Sequence, residues 1–157
     1  MRKLSILIIL AFLIAACSSN ENQDSNQADD QATSNQPAAP DDGKGVGEIE
    51  HVDLNDPLKA EMVSRGEGIY EMKCASCHKL TGQRVVGPGW EGITEKRKPE
   101  WIMNMITNVE VMLAEDSTAQ ALLEECLVRM PNQNLTQQDA RDVLEFMYAN
   151  DGHKVGE

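Results

Sequence analysis

The sequence predicts an all-α domain over residues 57–157, preceded by a disordered tether, and three observations carry that prediction. Beyond position 56, apolar residues recur at helical spacing in four separate segments. No segment alternates as a half-buried strand would, and there is no internal repeat. The run Cys74-Ala-Ser-Cys77-His78 follows directly on the first of the helical segments.

The first helix is expected to begin at Asp56-Pro57, an acidic cap with proline in the first turn, and to run to Lys73. Met62, Gly66, Ile69 and Tyr70 fall near one face of it. A glycine inside a helix costs about 1 kcal/mol relative to alanine, which points to close approach of another helix at Gly66. Residues 79–92 hold Gly87-Pro88-Gly89 and read as loop. A second helix starts at Pro99 and passes through Trp101, Ile102, Met105 and Ile106 to Val109. A third fits Thr118 to Val128, and Pro131 forces the chain out of it. Thr136 caps the last helix, with Asp139 as its capping-box partner, Val143, Leu144, Phe146 and Met147 as its buried stripe, and Asn150-Asp151-Gly152 as its end.

C-x-x-C-H is the spacing of covalent c-type haem attachment. Cys74 and Cys77 can each add sulfur across a haem vinyl group, and His78 is placed to ligate the iron. Zinc would require a second pair of ligands, and no further C-x-x-C or H-x-x-x-H is present. A redox dithiol of the thioredoxin type would require strands around the motif.

The N-terminus combines Met1-Arg2-Lys3, an apolar run from Leu4 to Ile14, and Ala15-Ala16-Cys17. That is an export signal over residues 1–16 rather than a membrane span, which needs about 20 apolar residues. Ile14-Ala15-Ala16-Cys17 resembles a bacterial lipobox, which implies lipid on Cys17; an ordinary secretory signal is the alternative. Acyl chains contribute about 0.8 kcal/mol per buried methylene, so several of them would hold the chain to a bacterial membrane, facing the periplasm or the cell exterior. Residues 17–56 are dominated by Asn, Gln, Asp, Ser and Ala and are expected to stay disordered. This tether holds ten acids and one base, against sixteen and eleven over residues 57–157, so the net charge of -12 is largely the tether's. So acidic a chain is a poor nucleic-acid ligand.

An electron-carrying iron needs a second axial ligand. Met103, Met105 and Met112 lie within or just after a periodic helix, and Met62, Met72 and Met147 lie on others, where packing is their commoner role. Met130 sits between two helices, before a proline that keeps the backbone extended, and is the preferred ligand. An unfilled site, His51, His153 or another methionine remain the alternatives.

Gly66-x-x-x-Tyr70-x-x-x-Cys74-x-x-Cys77-His78, then Gly87-Pro88, then Met130-Pro131, then Leu135-Thr136 leading into the last helix, resembles the class I monohaem cytochromes c in order and over the whole domain. The resemblance implies about four helices around one covalent haem c, with Gly66 and Tyr70 crossing Val143 and Phe146. It implies that the Pro88 carbonyl accepts the Nδ1 hydrogen of His78, and that Trp90 and Trp101 line the haem or reach a propionate. Core packing is the other role for both tryptophans. The stretches Pro99–Met105 and Cys126–Asn132 are also similar to small lipoprotein cytochromes c encoded beside some nitrous-oxide reductases.

The function these features imply is a lipid-anchored carrier of single electrons, not an enzyme. Its donor would be a quinol-oxidising complex or membrane cytochrome, and its acceptor a terminal reductase, such as nitrous-oxide reductase, or an oxidase. A ligand-binding sensor or small peroxidase with an open sixth position, and a fixed haem subunit of a membrane complex, are the other classes. Lys79, Arg84 and Lys96-Arg97-Lys98 are candidates for a basic docking rim. Cys126 is left over, with burial, an intermolecular disulfide or a redox role open to it.

Overall fold

The computed structural model describes residues 42–157. Within it α1 (Ala60–Lys73) and α6 (Gln137–Asn150) cross and form the frame of the domain. Gly66 makes the crossing possible, because a Cβ there would stand 2.1 Å from the Asp142 carbonyl oxygen and 2.9 Å from Phe146 Cβ. One turn on, the Tyr70 and Phe146 rings lie 5.4 Å apart. Beside the crossing, Arg65 grips the buried Asp142 carboxylate through Nε at 2.6 Å and Nη2 at 2.9 Å. The expected helix pairing is therefore present, with the Asp142 backbone as its point of closest approach.

The start of α1 differs from expectation. Asp56-Pro57 does not open the helix; Leu58 instead exchanges hydrogen bonds with Lys154 and Gly156 near the C-terminus, at 2.9 and 2.8 Å. The helix begins at Ala60, and the cap comes from a distant side chain, the Lys59 N–H donating to Glu145 Oε2 at 3.2 Å. Glu145 is fully buried, paired with Arg141 at 2.5 Å and accepting from Asn55 at 2.7 Å.

Four shorter helices fill the middle of the chain: α2 (Ile93–Lys96), α3 (Pro99–Thr107), α4 (Val109–Glu115) and α5 (Ser117–Cys126). α2 lies between the expected loop over 79–92 and the expected helix from Pro99, in a stretch where the sequence predicts no element. The expected helix through Val109 is two helices, broken at Asn108, which ends α3 and opens α4. The break turns Val109 and Met112 fully into the core. Asp116 caps α5, accepting from Ala119 N–H at 2.7 Å. The capping box of α6 forms as read, Asp139 N–H to Thr136 Oγ1 and Thr136 N–H to Asp139 Oδ2 both at 3.1 Å. Among the described residues there are no strands, only two isolated bridges.

Residues 42–56 correct the tether's boundary. They form an ordered strap on α3, α4 and α6 rather than a disordered linker. The buried Asn104 side chain accepts from Ile49 N–H at 3.1 Å and donates to Lys44 and Ile49 carbonyls at 3.1 and 3.0 Å. Val52 N–H donates to the buried Glu100 carboxylate at 3.1 Å, and Ile49 and Val52 join the core. Polar composition concealed this, because much of the anchoring runs from the strap's backbone to the domain's side chains and only Ile49 and Val52 of its apolar residues reach the buried core. The signal segment, Cys17 and the tether up to residue 41 lie outside the described residues.

Candidate haem-binding site

α1 delivers the Cys-x-x-Cys-His run into a tight coil. Cys74 N–H donates to the Tyr70 carbonyl at 2.8 Å, and Cys77 and His78 N–H both return to the Cys74 carbonyl, at 3.0 and 2.9 Å. The Tyr70 hydroxyl donates to the His78 carbonyl at 2.9 Å, so the helix end and the motif are held together. Cys74 is buried and Cys77 half-buried. Burial, aided by Cys77 and opposed by Lys73, pushes the Cys74 thiol up to about 11.

The His78 ring is oriented from two sides. Its Nδ1 donates to the Pro88 carbonyl at 2.8 Å, the contact that the family resemblance implies, and Nε2 is left for a metal. Burial lowers the pKa of His78 while the Pro88 bond opposes it. Gly87 allows the loop to lie against the imidazole: a Cβ there would meet Cε1 at 2.3 Å and Nε2 at 2.9 Å. Trp90 packs 5.5 Å from the imidazole and 5.0 Å from Tyr70, centroid to centroid.

His78 and Cys77 open onto a cavity of about 390 Å³ walled mainly by apolar side chains. Pro88, Trp90, Trp101 and Met130 all line it, so it gathers residues that are distant in sequence. Cys126 is there as well, half-buried on the wall. Of the two roles expected of Trp101, the structure favours lining over a propionate contact, since its indole N–H donates to Asp116 at 3.1 Å. Its ring still faces the cavity, with the Arg97 guanidinium 5.2 Å from its centroid.

The basic residues read as a docking rim are engaged within the chain. Arg84 pairs with Glu125. Lys79, Lys96 and Lys98 donate to backbone carbonyls, those of Ala75 at 3.3 Å, Glu91 at 2.9 Å and Asp42 at 2.5 Å. Sequence reasoning missed Asp151, whose carboxylate accepts from Gly92 N–H at 2.8 Å, Thr94 N–H at 3.0 Å and the Thr94 hydroxyl at 2.7 Å. It ties the end of α6 to the segment that follows Trp90.

An apolar slot with Cys77 and His78 on its wall, Cys74 buried just before them at vinyl-linking spacing, and the Pro88 contact at Nδ1 that leaves Nε2 for a metal fit a covalent haem. The fold and site define a class I monohaem cytochrome c. The cytochrome c family profile matches residues 63–150, and the chain belongs to that family. It is similar to the solved cytochrome c from Rhodothermus marinus, with 28% identity and a TM-score of 0.65 over 67% of this chain and 90% of that one. An engineered form of that protein matches at 27% identity and a TM-score of 0.64, with the same coverage of 67% and 90%. A further engineered form, bound to a carbene intermediate, matches at 27% and 0.61, again over 67% and 90%. No curated protein sequence matches. The protein is thus an electron-carrying haem protein with one covalent haem c, of a family typically exported from the cytoplasm.

Proposed function

We propose that this protein is a lipid-anchored carrier that takes single electrons from a quinol-oxidising complex or membrane cytochrome. It delivers them to a terminal reductase, with nitrous-oxide reductase the favoured acceptor, or to an oxidase. The observation that carries the reading is that His78 and Met130, from stretches on either side of α2 to α5, line one cavity. His78 and Met130 would hold the iron, and a haem held by both would supply reversible one-electron chemistry without leaving a position for substrate. The Pro88 carbonyl holds the His78 ring in place, and the wall of Trp90, Trp101, Ile102 and Ile106 excludes water.

Carbon monoxide added to the reduced protein at neutral pH tests the carrier reading against a sensor or peroxidase. A carrier leaves the spectrum unchanged; rapid formation of a carbonyl complex reverses the assignment. Anchoring through Cys17 is tested separately: the wild type partitions with membranes and carries the mass of a diacylglyceryl group, and Cys17→Ala is released. Equal partitioning of the two would reject the lipid.

A further inference from the structure

Asp116 stands where three helices meet. Its N–H closes α4, donating to the Met112 carbonyl at 2.9 Å, and its side chain opens α5, Oδ1 accepting from Ala119 N–H at 2.7 Å. The same Oδ1 accepts the indole N–H of Trp101, on α3, at 3.1 Å. Both residues are buried, Asp116 4% and Trp101 5% exposed. Two further groups confine the indole: the Arg97 guanidinium over its face, and the strap, where a Cβ on Gly45 would stand 3.1 Å from Cδ1. Trp101, Leu113 and Ala119, one from each of the three helices, line the haem cavity, whereas Asp116 does not. α5 then runs to Cys126, and Met130 follows it on the cavity wall. One buried oxygen thus fixes both a wall of the cavity and the start of the segment that leads to Met130.

We propose that Asp116 is a positioning residue of the haem site: by holding Trp101 and α5 on one oxygen it keeps the cavity closed to outside ligands and Met130 in place at the iron. The inference rests on the reading of Met130 as the distal ligand. Asp116 acts through Trp101 and α5 rather than on the haem. Without Oδ1, the indole N–H and the Ala119 N–H are left buried and unpaired. They regain partners only where water reaches them, so opening of α5 away from α3 becomes more populated while the rest of the domain stays folded. Such an opening exposes the cavity wall and lets a small ligand compete with the Met130 thioether.

The test is the rate at which imidazole binds the oxidised holoprotein, read optically as loss of the red sulfur-to-iron band. Exchange of the Trp101 indole N–H, followed by NMR in the reduced protein, reports the same opening without any ligand. Asp116→Ala binds imidazole about tenfold or more faster than wild type, and indole exchange accelerates by a similar factor. Asp116→Asn keeps a side-chain oxygen for both donors and stays within about threefold of wild type. Trp101→Phe retains the α5 cap but loses the indole bond, and binds about threefold or more faster; it decides the matter should Asp116→Ala fail to take up haem. Arg65→Ala is the control for general loss of stability: it breaks the pair with buried Asp142 at the α1–α6 crossing, and its imidazole rate stays within about threefold of wild type. Rates indifferent to Asp116→Ala or to Trp101→Phe overturn the positioning role and leave the carrier reading intact. So does an Asp116→Asn variant as fast as Asp116→Ala, or an equal acceleration in Arg65→Ala. A wild type that lacks the red band overturns the Met130 ligation on which the inference stands.

Discussion

Gly87 and His78 are in such close register that the loop backbone forms one wall of the imidazole's slot; a Cβ on Gly87 would stand 2.3 Å from Cε1 and 2.8 Å from Nδ1. The same loop supplies the Pro88 carbonyl that fixes the ring. Gly87→Ala therefore displaces either the ring or the loop. The expected result is a loss of about 1–3 kcal/mol in denaturant unfolding of the holoprotein, with a shifted reduction potential.

Gly66 and Gly68, two residues apart on α1, make a controlled pair. Alanine at Gly66 would bring Cβ within 2.1 Å of the Asp142 carbonyl oxygen, whereas nothing lies within 4 Å of a Cβ at Gly68. Gly66→Ala should cost about 3 kcal/mol or more, or prevent folding, because α1 and α6 would have to separate. Gly68→Ala should raise stability by about 0.5–1 kcal/mol. Thermal unfolding of the two holoproteins measures both.

The first helix and the strap show how far sequence reaches. The helix crossing at Gly66 and the Pro88–His78 contact were expected through the resemblance to cytochromes c, whereas the capping box at Thr136 is local and legible in the residues themselves. Haem attachment was legible for the same reason, since Cys74, Cys77 and His78 are contiguous. What escaped is closed in space: Glu145 capping α1 from 86 residues away, and Asn104 and Glu100 holding the strap from 55 and 48 residues away. Trp101 was placed near the haem, but its indole partner, Asp116, has its own local role as the cap of α5 and gave no separate signal.

Asn104 is the clasp of the strap, and its loss should free that segment. Asn104→Ala removes the acceptor for Ile49 N–H and the donor to two strap carbonyls. A cost of about 1–3 kcal/mol is expected. Amide exchange should accelerate selectively at Ile49 and its neighbours, and unchanged protection there would count against the strap.

Asp151 links stability to pH. Burial works to raise its pKa, but hydrogen bonds from the Thr94 hydroxyl and from Thr94 and Gly92 N–H outweigh this and lower it below the ordinary value of 3.8. A depressed carboxylate stabilises the fold above its unfolded pKa and loses that contribution as pH falls through the folded one. Asp151→Asn should therefore be less stable than wild type by about 1 kcal/mol at pH 7. The difference should shrink below about pH 4. Unfolding of both proteins across that range measures it.

The central claim is that His78 and Met130 together close the iron's coordination, and the oxidised optical spectrum tests it most directly. Wild-type holoprotein should show the weak red sulfur-to-iron charge-transfer band, and Met130→Ala should lack it and bind carbon monoxide when reduced. A wild type without the band, or a Met130→Ala variant that keeps it, would contradict the assignment.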